Sequence, residues 1–162
     1  MLEFPGITVG GALSGGALES SSHRYGHFFD TVEELDVITG EGALQARVSR
    51  ANRPELFHAL NASYGTCGVL TRVAVRLAKA ARFVRVRYLH FASMRAMLDA
   101  MTSLADAPGD GDDARPEFVD GVALGPDSFV AVVGDPCDAP PRAAGGAGEA
   151  PLVSLRGART DP

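Results

Sequence analysis

The 162 residues predict an α+β fold, a mostly antiparallel sheet with a few flanking helices. Three observations carry that prediction. Short runs rich in β-branched and aromatic residues recur between glycine turns, two of them spaced as a hairpin. One segment, Met94 to Leu104, spaces its apolar side chains at helical period. The chain is 46% apolar and 22% charged, enough to bury a core at this length and unlike a disordered composition.

Residues 4–27 read as a glycine-rich loop with six glycines, among them Gly10-Gly11 and Gly15-Gly16, and with Ser14, Ser20, Ser21 and Ser22. From Thr31 the pattern changes. Val32, Leu35, Val37 and Ile38 form a strand, Gly40-Glu41-Gly42 a turn, and Leu44, Ala46 and Val48 a returning strand. Asn52-Arg53-Pro54-Glu55 has the proline and acid of a helix start, and Leu56, Phe57 and Leu60 give that helix an apolar face. Tyr64-Gly65-Thr66-Cys67-Gly68 breaks it. Val69–Leu77 and Phe83–Phe91 read as strands, and Ser93 caps a helix with the stripe Met94, Met97, Leu98, Met101 and Leu104. The methionines read as core. After the polar loop 108–116, strands are expected at Glu117–Leu124 and Ser128–Val133, joined by Gly125-Pro126-Asp127. From Asp138 to Pro151 the composition collapses to Ala, Gly and Pro, which predicts disorder, with fraying expected over Leu152–Pro162.

The net charge of -5 is unevenly spread. No carboxylate lies between Glu55 and Asp99, yet six arginines and Lys79 do, so that block is +7 and the remainder -12. Such a block suits an anionic ligand, a membrane surface or nucleic acid. Here the arginines alternate with Val73, Val75, Leu77 and Val86, which is how a strand with one solvated face reads. No aromatic interleaving accompanies them, so a nucleic-acid partner is not expected. No apolar run reaches the roughly eighteen residues of a membrane span. The start lacks the basic and apolar regions of a secretory signal. Cys67 and Cys137 have no metal-ligand spacing, so no metal is expected, and two unframed cysteines fit a reducing compartment.

The glycine loop fails the tests for the common phosphate cradles. Gly15-Gly16 is followed by Ala17-Leu18, not by the Lys-Ser or Lys-Thr of a P-loop. The G-x-G-x-x-G dinucleotide fingerprint is absent in spacing and context. What remains is backbone and serine hydroxyls suited to a flat or anionic ligand, with a flexible linker as the bland alternative. His23, Arg24, Tyr25 and His27 follow directly. A histidine there can donate to a phosphate or tune a proton transfer, against a plain surface role. His58 and His90 take structural readings. Cys67 reads as a small packing residue, and no catalytic residue is assigned.

Taken together, Thr8-Val9-Gly10-Gly11, Glu19-Ser20-Ser21-Ser22-His23-Arg24-Tyr25-Gly26 and Gly65-Thr66-Cys67-Gly68-Val69-Leu70 resemble the PCMH-type FAD-binding domain of the vanillyl-alcohol oxidase and p-cresol methylhydroxylase superfamily. Within it the chain is most similar to the Δ24-sterol reductases, over about Phe4 to Asp135. The resemblance implies non-covalent FAD lined by Thr8, Val9, Gly10, Gly11, Ala12, Leu13, Ser14, Gly15, Gly16, Ala17, Leu18, Glu19 and Ser20. It also puts the Gly65–Leu70 turn near the cofactor from a second side. It implies reduction of a sterol side-chain double bond, with NADPH as hydride donor. By resemblance the protein belongs at the endoplasmic reticulum membrane; the chain as given reads as cytoplasmic. Family members carry a further half of the FAD domain upstream. The expected organisation is therefore a partial FAD domain over 1–80, a partial α+β cap over 81–137 and a low-complexity tail over 138–162. Association with a missing N-terminal half follows from the same expectation. The alternatives are an FAD-linked oxidase of an alcohol or hydroxy acid, or a non-catalytic remnant of the flavin domain.

Overall fold

The computed structural model describes residues 6–108 and 115–139, together with the backbone of residues 153–154. It is an α+β architecture of two small antiparallel sheets with flanking helices. The chain divides into two compact units, Met1–Ala78 and Lys79–Pro162.

In the first unit, helices α1 (Val9–Gly15) and α2 (Ser22–Tyr25) lead through a 3-10 turn at Phe28–Thr31 into strand β1 (Val32–Ile38). Strand β2 (Leu44–Val48), helix α3 (Pro54–Ala59) and strand β3 (Val69–Val75) follow. The sheet order is β2-β1-β3, so the hairpin expected from the sequence forms and β3 closes the other edge of β1. Leu35 pairs with Val48 and Val73, and a bulge follows it on the β2 side. Leu13, Phe29, Val32, Leu35, Val37, Val48, Phe57 and Leu60 make the core, with Cys67 packed against its edge as a small residue.

Arg50 ties this core together from outside. Its guanidinium lies 5.4 Å from the Phe29 ring centroid and 5.0 Å from that of Phe57, and it donates to the Val32 carbonyl at 2.9 Å. His58, read as structural, sets its ring edgewise on the same two phenylalanines. The opposite sheet face is polar. Glu34 accepts from Arg72 at 2.7 Å and from Arg47 at 2.9 Å, and these hydrogen bonds hold its carboxyl below the usual 4.5. The alternating arginine of β3 is thus a solvated sheet residue, as the alternation implied.

In the second unit, strand β4 (Phe83–Phe91), helix α4 (Met94–Ala105) and strands β5 (Phe118–Gly125), β6 (Ser128–Cys137) and β7 (Val153–Ser154) form a sheet of order β5-β6-β4-β7. Ser93 caps α4 as expected, its hydroxyl accepting from the Ala96 amide at 3.3 Å. Met97 is buried against Phe129 and Ala131, with Leu89, Phe91 and Met101 beside it. Met94 and Leu98 face solvent, so the buried stripe is narrower than the periodicity suggested. Gly121 gives the helix its close approach: a Cβ there would stand 2.9 Å from the Met101 sulfur.

Three expectations are corrected. β6 runs to Cys137, four residues past Val133, because every residue of β4 finds a partner on it. β3 ends at Val75, and Leu77 is exposed beyond it. Within the stretch expected to fray, Val153–Ser154 pairs with Phe83 and Val84. Most of the expected 108–116 loop and of the expected disordered tail from Asp138 lies outside the described residues.

Candidate functional site

The expected glycine loop is, in its first part, a helix. Three of the seven residues of α1 are glycine, each costing about 1 kcal/mol against alanine in a helix interior. Its ends and its buried side offset that. The Thr8 hydroxyl accepts from the Gly11 amide at 3.0 Å, and the Thr8 carbonyl from the Ala12 amide at 2.8 Å. At the other end Gly16 takes the left-handed conformation (φ 69°) and, with Ala17, returns its amide to the carbonyls of Leu13 and Ala12. Ala12 and Leu13 are buried, which anchors one side of the helix in the core.

The thirteen residues expected to line a ligand therefore divide. The side chains of Ala12 and Leu13 face the core, whereas Thr8, Val9, Gly11, Gly15 and Leu18 are exposed and Gly10, Ser14, Gly16, Ala17, Glu19 and Ser20 half-buried. At Gly10 and Gly15 a Cβ would meet nothing within 4 Å. Ser14 lies one turn beyond Gly10 and Gly11 on α1; the backbone is bare at Gly10, while the Thr8 hydroxyl stands 3.0 Å from where a Gly11 Cβ would be. The Gly11 amide is already taken by Thr8. A flat group can approach the backbone at Gly10 without meeting a side chain, and in that respect the segment fits the planar rings and linker of a dinucleotide.

The segment after α1 is folded back by local bonds. The Glu19 amide donates to the Ser22 hydroxyl at 2.9 Å, and the His23 Nδ1 stands 3.1 Å from the Ser20 carbonyl. The Phe28 amide then donates to the Ala17 carbonyl at 3.1 Å, which clips the 3-10 turn to the end of α1. Asp30 fills the space beside Gly26 (φ 78°), where a Cβ would overlap it. Its carboxylate accepts from the His27 amide at 2.9 Å.

A second stretch, absent from the thirteen, is brought to α1 by tertiary hydrogen bonds. The Ala62 amide donates to the Leu13 carbonyl at 3.1 Å and the Tyr64 amide to the Ser14 carbonyl at 3.0 Å. The loop between α3 and β3 thus completes the helix end that a short element leaves unsatisfied. The sequence signals were the Tyr-Gly break and the resemblance of the Gly65–Leu70 turn, neither of which marked Ala62 or Tyr64. At its far end Gly68 (φ 149°) passes so close to β1 that a Cβ would lie 2.6 Å from the Ile38 carbonyl oxygen.

Among the described residues no helix is long and apolar enough to cross a membrane. Residues 1–46 match the family described as FAD binding domain. The chain is 36% identical over 135 residues to the Delta(24)-sterol reductase of Arabidopsis thaliana, covering 82% of this chain and 24% of that protein. The reductase of the same name from Pisum sativum is 31% identical over 136 residues, with the same two shares. Cytokinin dehydrogenase 2 of Oryza sativa subsp. japonica is 38% identical over 108 residues, covering 65% of this chain and 19% of that protein. The chain thus spans about a quarter or less of the length of these curated relatives. By these matches the segment that carries α1, α2, β1 and the start of β2 is similar to the PCMH-type FAD-binding domain.

Proposed function

We propose that this chain is part of a flavin oxidoreductase of the Δ24-sterol reductase kind, reducing a sterol side-chain double bond with NADPH as the hydride donor. The observation that carries this reading is the reach of the similarity. The match to the sterol reductase of Arabidopsis thaliana extends over 135 residues and 82% of this chain, against 108 residues and 65% for the cytokinin dehydrogenase, and both are longer than either unit. FAD, when bound, would supply the two-electron redox chemistry.

What the chain's own residues contribute is position. The bare backbone at Gly10 admits a flat group, and the Thr8 and Gly16 caps keep that backbone in place. The buried Leu13 fixes the helix to the core, so the surface does not yield as a ligand arrives. In this reading Thr8–Ser20 is the cofactor segment, the second unit contributes to the substrate side, and the protein resides at the endoplasmic reticulum membrane.

The test is an absorbance scan of the purified chain, alone and with added FAD, followed by anaerobic incubation with NADPH and a side-chain-unsaturated sterol. Flavin bands, and a product heavier by two hydrogens, support the reading. A chain that binds FAD but leaves the sterol unchanged while oxidising an alcohol or hydroxy acid points to the second reading, an FAD-linked oxidase of the same superfamily. The cytokinin dehydrogenase similarity favours that alternative. A chain that stays colourless with excess FAD is a non-catalytic remnant of the domain.

A further inference from the structure

We propose that Tyr64 is a stacking platform for a ring system of the bound dinucleotide, an inference that rests on the FAD reading above. Its side chain is 81% exposed. A single exposed aromatic is ordinary on a protein surface. This one differs in how its backbone is held. Tyr64 has φ 51°, the left-handed region, which a bulky residue adopts at a cost and without local reward. Ala62, two residues earlier, has φ 51° as well.

Hydrogen bonds hold the loop in that shape. The amides of Ala62 and Tyr64 are bound to the carbonyls of Leu13 and Ser14. The amide and hydroxyl of Thr66 both donate to the Ser63 carbonyl, at 3.0 and 2.7 Å. A large ring is therefore displayed from a rigid backbone. Displaying an aromatic on an ordered backbone reduces the entropy lost when a planar ligand settles on it.

The place is equally specific. Ser14, to which Tyr64 is bonded, follows Gly10 and Gly11 by one helical turn, and at Gly10 a Cβ would meet open space. The Tyr64 backbone is thus anchored at the last turn of α1, within the roughly 10 Å that a seven-residue helix spans. A planar heteroaromatic ring lying along the helix from Gly10 would have backbone on one flank and the exposed Tyr64 ring within reach. Stacking of this kind tolerates any flat π-system, and FAD offers two: the isoalloxazine and the adenine.

The experiment titrates FAD, FMN and ADP into the full chain and into Tyr64→Asn and Tyr64→Phe. Asparagine accepts the left-handed backbone and removes the ring, so this variant keeps the loop, as circular dichroism and the melting midpoint will verify. Phenylalanine keeps the ring. Tyr64→Asn is expected to weaken FAD about five- to a hundredfold while Tyr64→Phe stays within about threefold of wild type. If the partner is the isoalloxazine, FMN weakens alongside FAD and the fluorescence of the bound flavin rises in Tyr64→Asn, a phenol being a quencher. If it is the adenine, ADP weakens and FMN does not. Folded Tyr64→Asn binding all three ligands within about twofold of wild type overturns the proposal and leaves the FAD reading standing. Wild type that binds none of them overturns both.

Discussion

Replacing Gly68 with alanine probes the point where the Gly-Thr-Cys-Gly turn meets the sheet. At φ 149° the backbone is in a region that L side chains rarely adopt, a cost of about 1–3 kcal/mol. The new methyl would also stand 2.6 Å from the Ile38 carbonyl oxygen and 2.6 Å from Cγ2 of Val37. The carbonyl belongs to β1, and Ile38 pairs with both Val69 and Leu44, so it cannot move aside as a flexible side chain could. Overpacking of that kind costs about 1–3 kcal/mol more. Together the loss is roughly 2–6 kcal/mol, a large part of what stabilises an ordinary domain. Urea denaturation read by circular dichroism measures it, with Gly40→Ala as the control, since a Cβ at Gly40 meets nothing within 4 Å. A loss below about 1 kcal/mol for Gly68→Ala, or one no larger than the control's, refutes the reasoning from φ and steric approach.

Gly10→Ala is expected to act in opposite directions: a gain of up to about 1 kcal/mol from helix propensity where there is open space, and weaker FAD binding because a methyl now stands on the bare side of α1. Thermal melts with and without FAD separate the two, and unchanged binding removes Gly10 from the site. The Glu34 carboxylate, lowered chiefly by the Arg72 hydrogen bond and then by Arg47, contributes stability that is present above 4.5 and lost as pH falls through its lower folded value. The stability gap between wild type and Glu34→Gln should accordingly close on acidification and shrink with added salt; a gap that is flat in pH contradicts this. Arg50→Ala should cost about 1–3 kcal/mol through the lost Val32 hydrogen bond and the two ring contacts, measured by urea denaturation. Ser93→Ala should cost about 0.5–2 kcal/mol, read as fraying of α4 by amide hydrogen exchange.

The glycine segment shows where sequence reasoning stopped. Read by composition, residues 4–27 were a loop, because three glycines in seven residues argue against a helix. The structure makes Val9–Gly15 helical through a threonine cap, a left-handed Gly16 and the burial of Leu13. The Thr8 cap was not read from the sequence, and the burial could not be, since it depends on Phe29 and Phe57 arriving from elsewhere in the chain. In α4 the reverse happened. Its 3.6-residue period was plain, yet the width of the stripe was set by how much of the helix the sheet covers, and Met94 and Leu98 fall outside that cover. Tyr64 was read only as part of a helix break, because its hydrogen bond to Ser14 joins residues fifty apart in the chain.

By itself the sequence determined the α+β class, the hairpin, the start and phase of α4, and the kinship with FAD-binding proteins, all of which rest on local spacing or on ordered short motifs. Tertiary structure alone decided that the glycines near the start form a helix, that the loop before β3 closes that helix, and that Arg50 spans two aromatic rings of the core. Those outcomes depend on groups distant in sequence meeting in space. A buried amide or carbonyl must find its partner wherever the fold supplies one, and no local pattern records where that is.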